Sequence, residues 1–194
     1  MNTQGMITDA DGDIAALVYS AGDRPDLVLM DFARHVADTG RKICGLIQFR
    51  DRPFDATRRR VMVLDGWREV EVRHENVAVG NSRCHVDEAW MDGMAAEVRA
   101  SITRGVDAVI VNRFGPLEAA GGGFCDAIRI ASETQTPLII AVPAFEFERW
   151  TRSSNGMTVK LDCALGRVLE WWHRVSARNS HVPAHDPRAC ELFK

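Results

Sequence analysis

The chain has 194 residues, 46% hydrophobic and 26% charged, with a formal net charge of -3 from 24 Lys and Arg against 27 Asp and Glu. That length holds one domain with a sizeable core, and the near balance of charge supplies neither a basic field for nucleic acid nor an acidic tail. The opening stretch MNTQGMITDADGDIA is acidic and lacks the apolar segment behind Lys or Arg that marks a signal peptide. No apolar run approaches the length of a membrane span, so the expectation is a cytoplasmic protein without membrane insertion. Cys44, Cys84, Cys125, Cys163 and Cys190 are odd in number and form no CxxC, which argues against a disulfide framework or a cysteine-paired zinc site.

Ile14 to Tyr19 is a short apolar run that predicts a buried strand. Ser20-Ala21-Gly22 breaks it, Asp23 is placed to cap a helix, and Pro25 suits a first helical turn. Leu27, Met30, Ala33, Val36 and Ala37 then recur at helical spacing up to Gly40. Lys42 to Gln48 predicts a second strand, and strand-helix-strand order implies a parallel pair with a right-handed crossover. Asp65-Gly66-Trp67 then separates two β-prone runs, Arg60 to Leu64 and Arg68 to Arg73, which reads as a hairpin with one wet face. Arg58-Arg59-Arg60 at its start reads as a solvated edge that discourages strand addition.

The α/β alternation returns after Gly80. A helix from Asp87 to Arg104 closes at Gly105, and Asp107 to Val111 is a third parallel-type strand. A helix over 126–134, a strand from Pro137 to Val142, a helical segment from Phe145 to Trp150 and a short strand from Met157 to Leu161 follow. Ala164 to Val175, with Trp171-Trp172, predicts a last amphipathic helix. The expected fold is α/β, a mainly parallel sheet flanked by helices with an inserted β-hairpin near 58–74. Residues 1–177 form the single domain and 178–194 an extended or disordered tail, in which His181, His185 and Cys190 are either a metal clip or stray residues.

Ligands of open parallel sheets bind beyond the carboxyl ends of the strands. Three loops have that position: Ser20 to Arg24, Gly80 to Asp87, and Val111 to Phe124. The first has one glycine, Gly22, and neither the Lys nor the Ser/Thr of a P-loop; Asp23 and Asp26 oppose a phosphate there, so a plain connection is the competing reading. The second offers Arg83 to an anion and Cys84 as a thiol near a helix start, with His85 beside them; a capping loop with a small buried Cys is its competing reading. The third, VNRFGPLEAAGGGF, turns at Gly115-Pro116. It combines Asn112 and the permanent cation Arg113 with Gly121, Gly122 and Gly123, whose N–H groups could converge on an oxyanion. The same glycines could serve only a tight turn, and Glu118 could hold a metal or water or pair with Arg113.

GLIQFR, the Asp-Gly hairpin, SRCHVD, DAVIVNRFGPLEAAGGGFCDAI and LEWW resemble a bacterial domain-of-unknown-function family, nucleoside-triphosphatase-like and encoded beside molybdate-transport and nitrogenase genes, from Ile14 to Trp172. A more distant resemblance is to the cancer-related nucleoside-triphosphatase family, which implies a P-loop NTPase-like three-layer sandwich. In that family the segment matching Val111 to Glu118 reads roughly DEIGxxE. Gly115, Pro116 and Glu118 match, but Asn112 and Arg113 stand where two acidic residues handle magnesium and water. With the Walker A Lys also missing, the resemblance implies the fold without efficient hydrolysis. The leading expectation is therefore a non-catalytic oxyanion binder, for molybdate or tungstate, in molybdenum handling. Asn112, Arg113, Gly115 and Gly121 to Gly123 would hold the anion, with Arg83, Cys84, Ser20 and Gly22 as outer candidates. One alternative is a nucleotide-binding protein or slow NTPase that uses Mg²⁺ and Glu118 as its catalytic residue. Another is an interaction module in which the Trp171-Trp172 helix supports a homodimer.

Overall fold

The computed structural model describes residues 12–49, 58–75, 85–86 and 88–179. In chain order they form β1 (Ile14–Tyr19), α1 (Pro25–Asp38), β2 (Ile43–Gln48), β3 (Arg58–Val63), β4 (Arg68–Glu75), β5 (His85–Val86), α2 (Glu88–Arg104) and β6 (Ala108–Val111). Then come α3 (Pro116–Ala119), α4 (Cys125–Glu133), β7 (Leu138–Pro143), a 3-10 turn (Ala144–Glu146), α5 (Phe147–Ser153), β8 (Val159–Asp162) and α6 (Leu165–Asn179). The strands make one sheet in the order β5-β4-β3-β2-β6-β7-β1-β8. β2, β6, β7, β1 and β8 run parallel, and β3, β4 and β5 extend the β2 side antiparallel.

The parallel strands read as unbroken apolar runs because helices cover both of their faces. β1 alternates accordingly: Ala15, Leu17 and Tyr19 pack with α1 and α6, whereas Ile14 and Ala16 pack with α2 and α4. This is the three-layer sandwich expected. Gly45 is required at the β2–β6 junction: its φ is +117°, and a Cβ there would collide with the Ile110 carbonyl. Among the described residues no helix is long and apolar enough to cross a membrane.

The hairpin forms with Val63 opposite Arg68, so Leu64 to Trp67 make the turn, closed by the Trp67 N–H on the Leu64 carbonyl (3.2 Å). Val72 points inward and Glu69 and Glu71 outward, the alternation that the sequence predicts.

Several expectations are corrected. Arg58 to Arg60 do not start an edge strand, because β3 lies between β2 and β4: all three pair with β4, and β2 pairs with Val61 to Val63. Arg60 stacks over Phe49 (4.5 Å) and pairs with Glu69 (3.5 Å). Asp23 is not the N-cap of α1; Arg24 holds that position, and the Asp23 carboxylate instead accepts the Ser20 N–H (2.7 Å). α6 runs to Asn179, past the expected boundary at 177, while His181, His185 and Cys190 lie outside the described residues. The Trp171-Trp172 pair is core: the side chains are 0% and 2% exposed, meet Phe32 of α1 at 6.4 and 5.7 Å, and Trp171 Nε1 donates to the Gly12 carbonyl (3.0 Å). Neither ring is left for a second copy, so the argument for a homodimer from these residues lapses.

Candidate functional site

The carboxyl ends of β1, β6 and β7 surround a cavity of about 580 Å³. Tyr19, Ser20 and Ala21 come from the first loop, Arg113 to Pro116 from the loop after β6, and Pro143 to Glu146 from the end of β7. Two of the three loops singled out from the sequence therefore meet. The third contributor, the end of β7, was missed. Its signal was Pro143 closing a parallel strand, which puts the next residues on the same edge.

Arg113 is where the local chain is most constrained. On one side Asn112, 6% exposed, donates from Nδ2 to the Gln48 carbonyl at the end of β2 (2.8 Å). On the other, the Phe114 N–H donates to Ala141 of β7 (2.8 Å), and the buried Phe114 ring sits edge-on to Trp150 (5.3 Å, 70°). With both neighbours anchored to different strands, the residue between them takes φ +125°, a conformation that suits glycine. Its guanidinium is exposed and lines the cavity. Among the described residues it makes no ion pair or hydrogen bond. Beside it Phe145 is 85% exposed, and Glu146, a carboxylate on the wall, is 3.7 Å from Arg149.

Asn112 is also explained here. Its amide donates to a carbonyl, which an aspartate could not do, and it lies in the sheet junction rather than on the cavity wall.

Glu118 and the glycines are likewise corrected. The Glu118 carboxylate is 5% exposed; Oε2 accepts the Gly115 N–H (3.0 Å) and Oε1 the Phe124 N–H (3.5 Å). Burial raises its pKa above the ordinary carboxylate value, while its own N–H and those of Phe124 and Gly115 pull it down. The anion cradled by this loop is thus the protein's own. Gly121 and Gly122 donate to the carbonyls of Glu118 and Leu117, so these N–H groups do not converge on an external oxyanion. Gly123, at φ +55°, is needed because a Cβ there would collide with Glu118 Oε1. Cys125 completes the staple by donating from Sγ to the Glu118 backbone carbonyl (3.0 Å).

At the start of α1 the first loop is closed by acidic groups. Arg24 holds the buried Asp26 carboxylate with two bonds, of 3.1 and 2.8 Å. Burial, then the charges of Asp23 and Asp26, push the nearby Cys163 thiol up to about 11. Arg24 offsets Asp26, while the Asp23 carboxylate disfavours a phosphate at this helix end. Ser20 lines the cavity, but Gly22 does not and has no positive φ. Arg83 and Cys84 lie outside the described residues. Among the described residues no cluster of three or more His, Cys, Asp or Glu side chains could hold a metal.

The fold is shared with the solved structure of THEP1 from the hyperthermophile Aquifex aeolicus, at TM-score 0.59 and 10% identity, over 84% of this chain and 96% of that one. At that identity the likeness shows the P-loop NTPase-like fold alone. In sequence, 167 residues are 28% identical to part of Molybdenum import ATP-binding protein ModC 2 of Bradyrhizobium diazoefficiens. The match takes 85% of this chain but 18% of that protein, whose name describes a far longer molecule. The family described as Protein of unknown function (DUF2478) matches residues 14–171, most of the chain and all three strand ends at the cavity, and this protein belongs to it.

Proposed function

We propose that the protein binds a small oxyanion, molybdate or tungstate, at the C-terminal cavity without hydrolysing a nucleotide, as a module of molybdenum handling. The observation that carries this reading is Arg113, a permanent cation held at φ +125° on the cavity wall with no ion pair among the described residues. A strained residue retained at a strand end is a mark of function, and a guanidinium offers two parallel donors to an oxyanion. The relative named for molybdenum import supplies the candidate anion.

Hydrolysis is disfavoured by the groups present. By the resemblance to the cancer-related nucleoside-triphosphatase family, Asn112 and Arg113 replace two acidic residues, and the oxygens of Glu118 already accept two backbone N–H groups. These residues do not fit Mg²⁺. Nucleotide binding remains the second reading, because the cavity exceeds what a tetrahedral anion fills and exposes the Phe145 ring, which suits a base.

Arg113→Gly separates function from folding. Glycine accepts φ +125°, so relief of strain offsets the added freedom of the unfolded chain, and stability should be unchanged or up to about 1 kcal/mol higher. Molybdate affinity should fall at least about tenfold, the loss of a charge-assisted contact. Calorimetric titration with molybdate, tungstate, phosphate and ATP reads both hypotheses. Unchanged molybdate binding in Arg113→Gly sinks the assignment of the cation, and ATP binding in place of molybdate that weakens in Arg113→Gly moves the second reading to first.

A further inference from the structure

The opposite edge of the sheet carries a second cavity of about 580 Å³, walled by the end of α1, the start of β2, the hairpin turn and the end of α2. Among the described residues three cations line it, Arg41, Lys42 and Arg104, against one carboxylate, Asp65. Two of the cations are built into the wall. Arg41 lies over the Trp172 ring at 5.4 Å and 3.7 Å from Asp107. Arg104 donates to Ser101 Oγ (2.7 Å) and Asp65 Oδ2 (3.3 Å), and Ser101, 2% exposed, donates to the same Asp65 oxygen (2.6 Å).

Cations at the ends of α1 and α2 are expected, since helix carboxyl ends carry partial negative charge. That accounts for Arg41 and Arg104 and leaves two features over. The Lys42 side chain is exposed and its ammonium has no partner among the described residues; its backbone alone is engaged, the N–H donating to the Asp107 carboxylate (2.7 Å) and the carbonyl accepting from the Asp107 N–H (2.8 Å). Trp67 is 40% exposed at φ +52°, a conformation costly for a bulky residue, at the tip of the turn bordering the cavity. A strained, exposed indole beside an unpaired ammonium combines a stacking face with an anion partner.

We propose that this cleft is a second ligand site, which takes a planar aromatic ring bearing one or two anionic groups and of nucleoside-monophosphate size. The ring would lie on Trp67, and the anionic group would meet Lys42 and the outward N–H groups of Arg104, whose side chain is 65% exposed. The cavity volume matches ligands of that size. The site does not depend on the oxyanion reading of the other edge.

Calorimetric titration of the full chain with AMP in the absence of metal tests this. Saturable binding is expected, with adenosine and inorganic phosphate each at least about tenfold weaker, since either alone satisfies half of the cleft. Lys42→Ala and Trp67→Asn, the latter keeping a residue that tolerates positive φ, should each weaken AMP at least about fivefold, and Arg113→Gly should leave it unchanged. The proposal is overturned by absence of saturation up to about 1 mM AMP. Phosphate binding as tight as AMP, or AMP affinity that follows Arg113 and ignores Lys42 and Trp67, overturns it equally.

Discussion

Replacing Glu118 by alanine removes the acceptor for the N–H groups at both ends of the glycine loop, Gly115 at 3.0 Å and Phe124 at 3.5 Å, in a site that is 5% exposed. A hydrogen bond to a charged group contributes about 1.5–3 kcal/mol, and the longer bond counts for little; the stranded donors add their desolvation. The expected loss is about 2–4 kcal/mol, which for a domain of this size lowers Tm by roughly 4–16 °C. Glu118→Gln keeps one acceptor but turns an amide NH₂ toward the other N–H, and about 1–2 kcal/mol is expected. Thermal and urea unfolding followed by circular dichroism at pH 7 measures both. The pH dependence follows from burial, which places the folded pKa of Glu118 above the ordinary 4.5 and makes the folded chain bind this proton more readily. The stability contributed by that shift is present below about pH 4.5 and lost as pH rises through the folded value. The advantage of the wild type over Glu118→Gln should therefore grow as pH falls into that window. Wild-type Tm in Glu118→Ala would refute the staple and return the carboxylate to catalysis.

Three further outcomes can be checked on the same instruments. Gly123→Ala meets both a positive φ and Glu118 Oε1, so it should cost about 2 kcal/mol or more, whereas Gly22→Ala, with open space and ordinary φ, should change stability by less than about 0.5 kcal/mol. Equal effects would show that the glycine run is only a turn. Asn112→Asp replaces a buried donor on the Gln48 carbonyl by an acceptor and should destabilise by about 2–3 kcal/mol without creating magnesium-dependent ATP turnover; either turnover or wild-type stability contradicts the structure. Trp172→Ala should cost about 3–5 kcal/mol as a core truncation and leave the mass in light scattering unchanged; a change in mass with stability intact would reinstate an interface role.

Much of the fold was legible because parallel strands buried on both faces must be apolar throughout. Ile14 to Tyr19 and Leu138 to Val142 announced themselves that way, and Asp65-Gly66 announced the hairpin. The misreadings came from properties that belong to pairs of elements. Arg58 to Arg60 looked like an edge until β4 paired beyond them, and Trp171-Trp172 looked excessive for one core until Phe32 and Gly12 met them. The candidate site was half legible: Arg113 and the turn at Gly115-Pro116 stood out by type, while Phe145 carried no motif and became visible only as the second residue after β7.

By itself the sequence determined which segments alternate as strands and helices, and that a cation follows β6. These are matters of residue type and local spacing, which the chain carries without folding. Tertiary structure alone decided where each charge goes. Glu118 and Arg113 are five residues apart in one motif, yet packing buries the first against backbone N–H groups and leaves the second exposed on a cavity. The reason is physical: a carboxylate's role depends on which donors surround it, and those donors, Gly115 and Phe124, are brought to it by the loop's own path between β6 and α4.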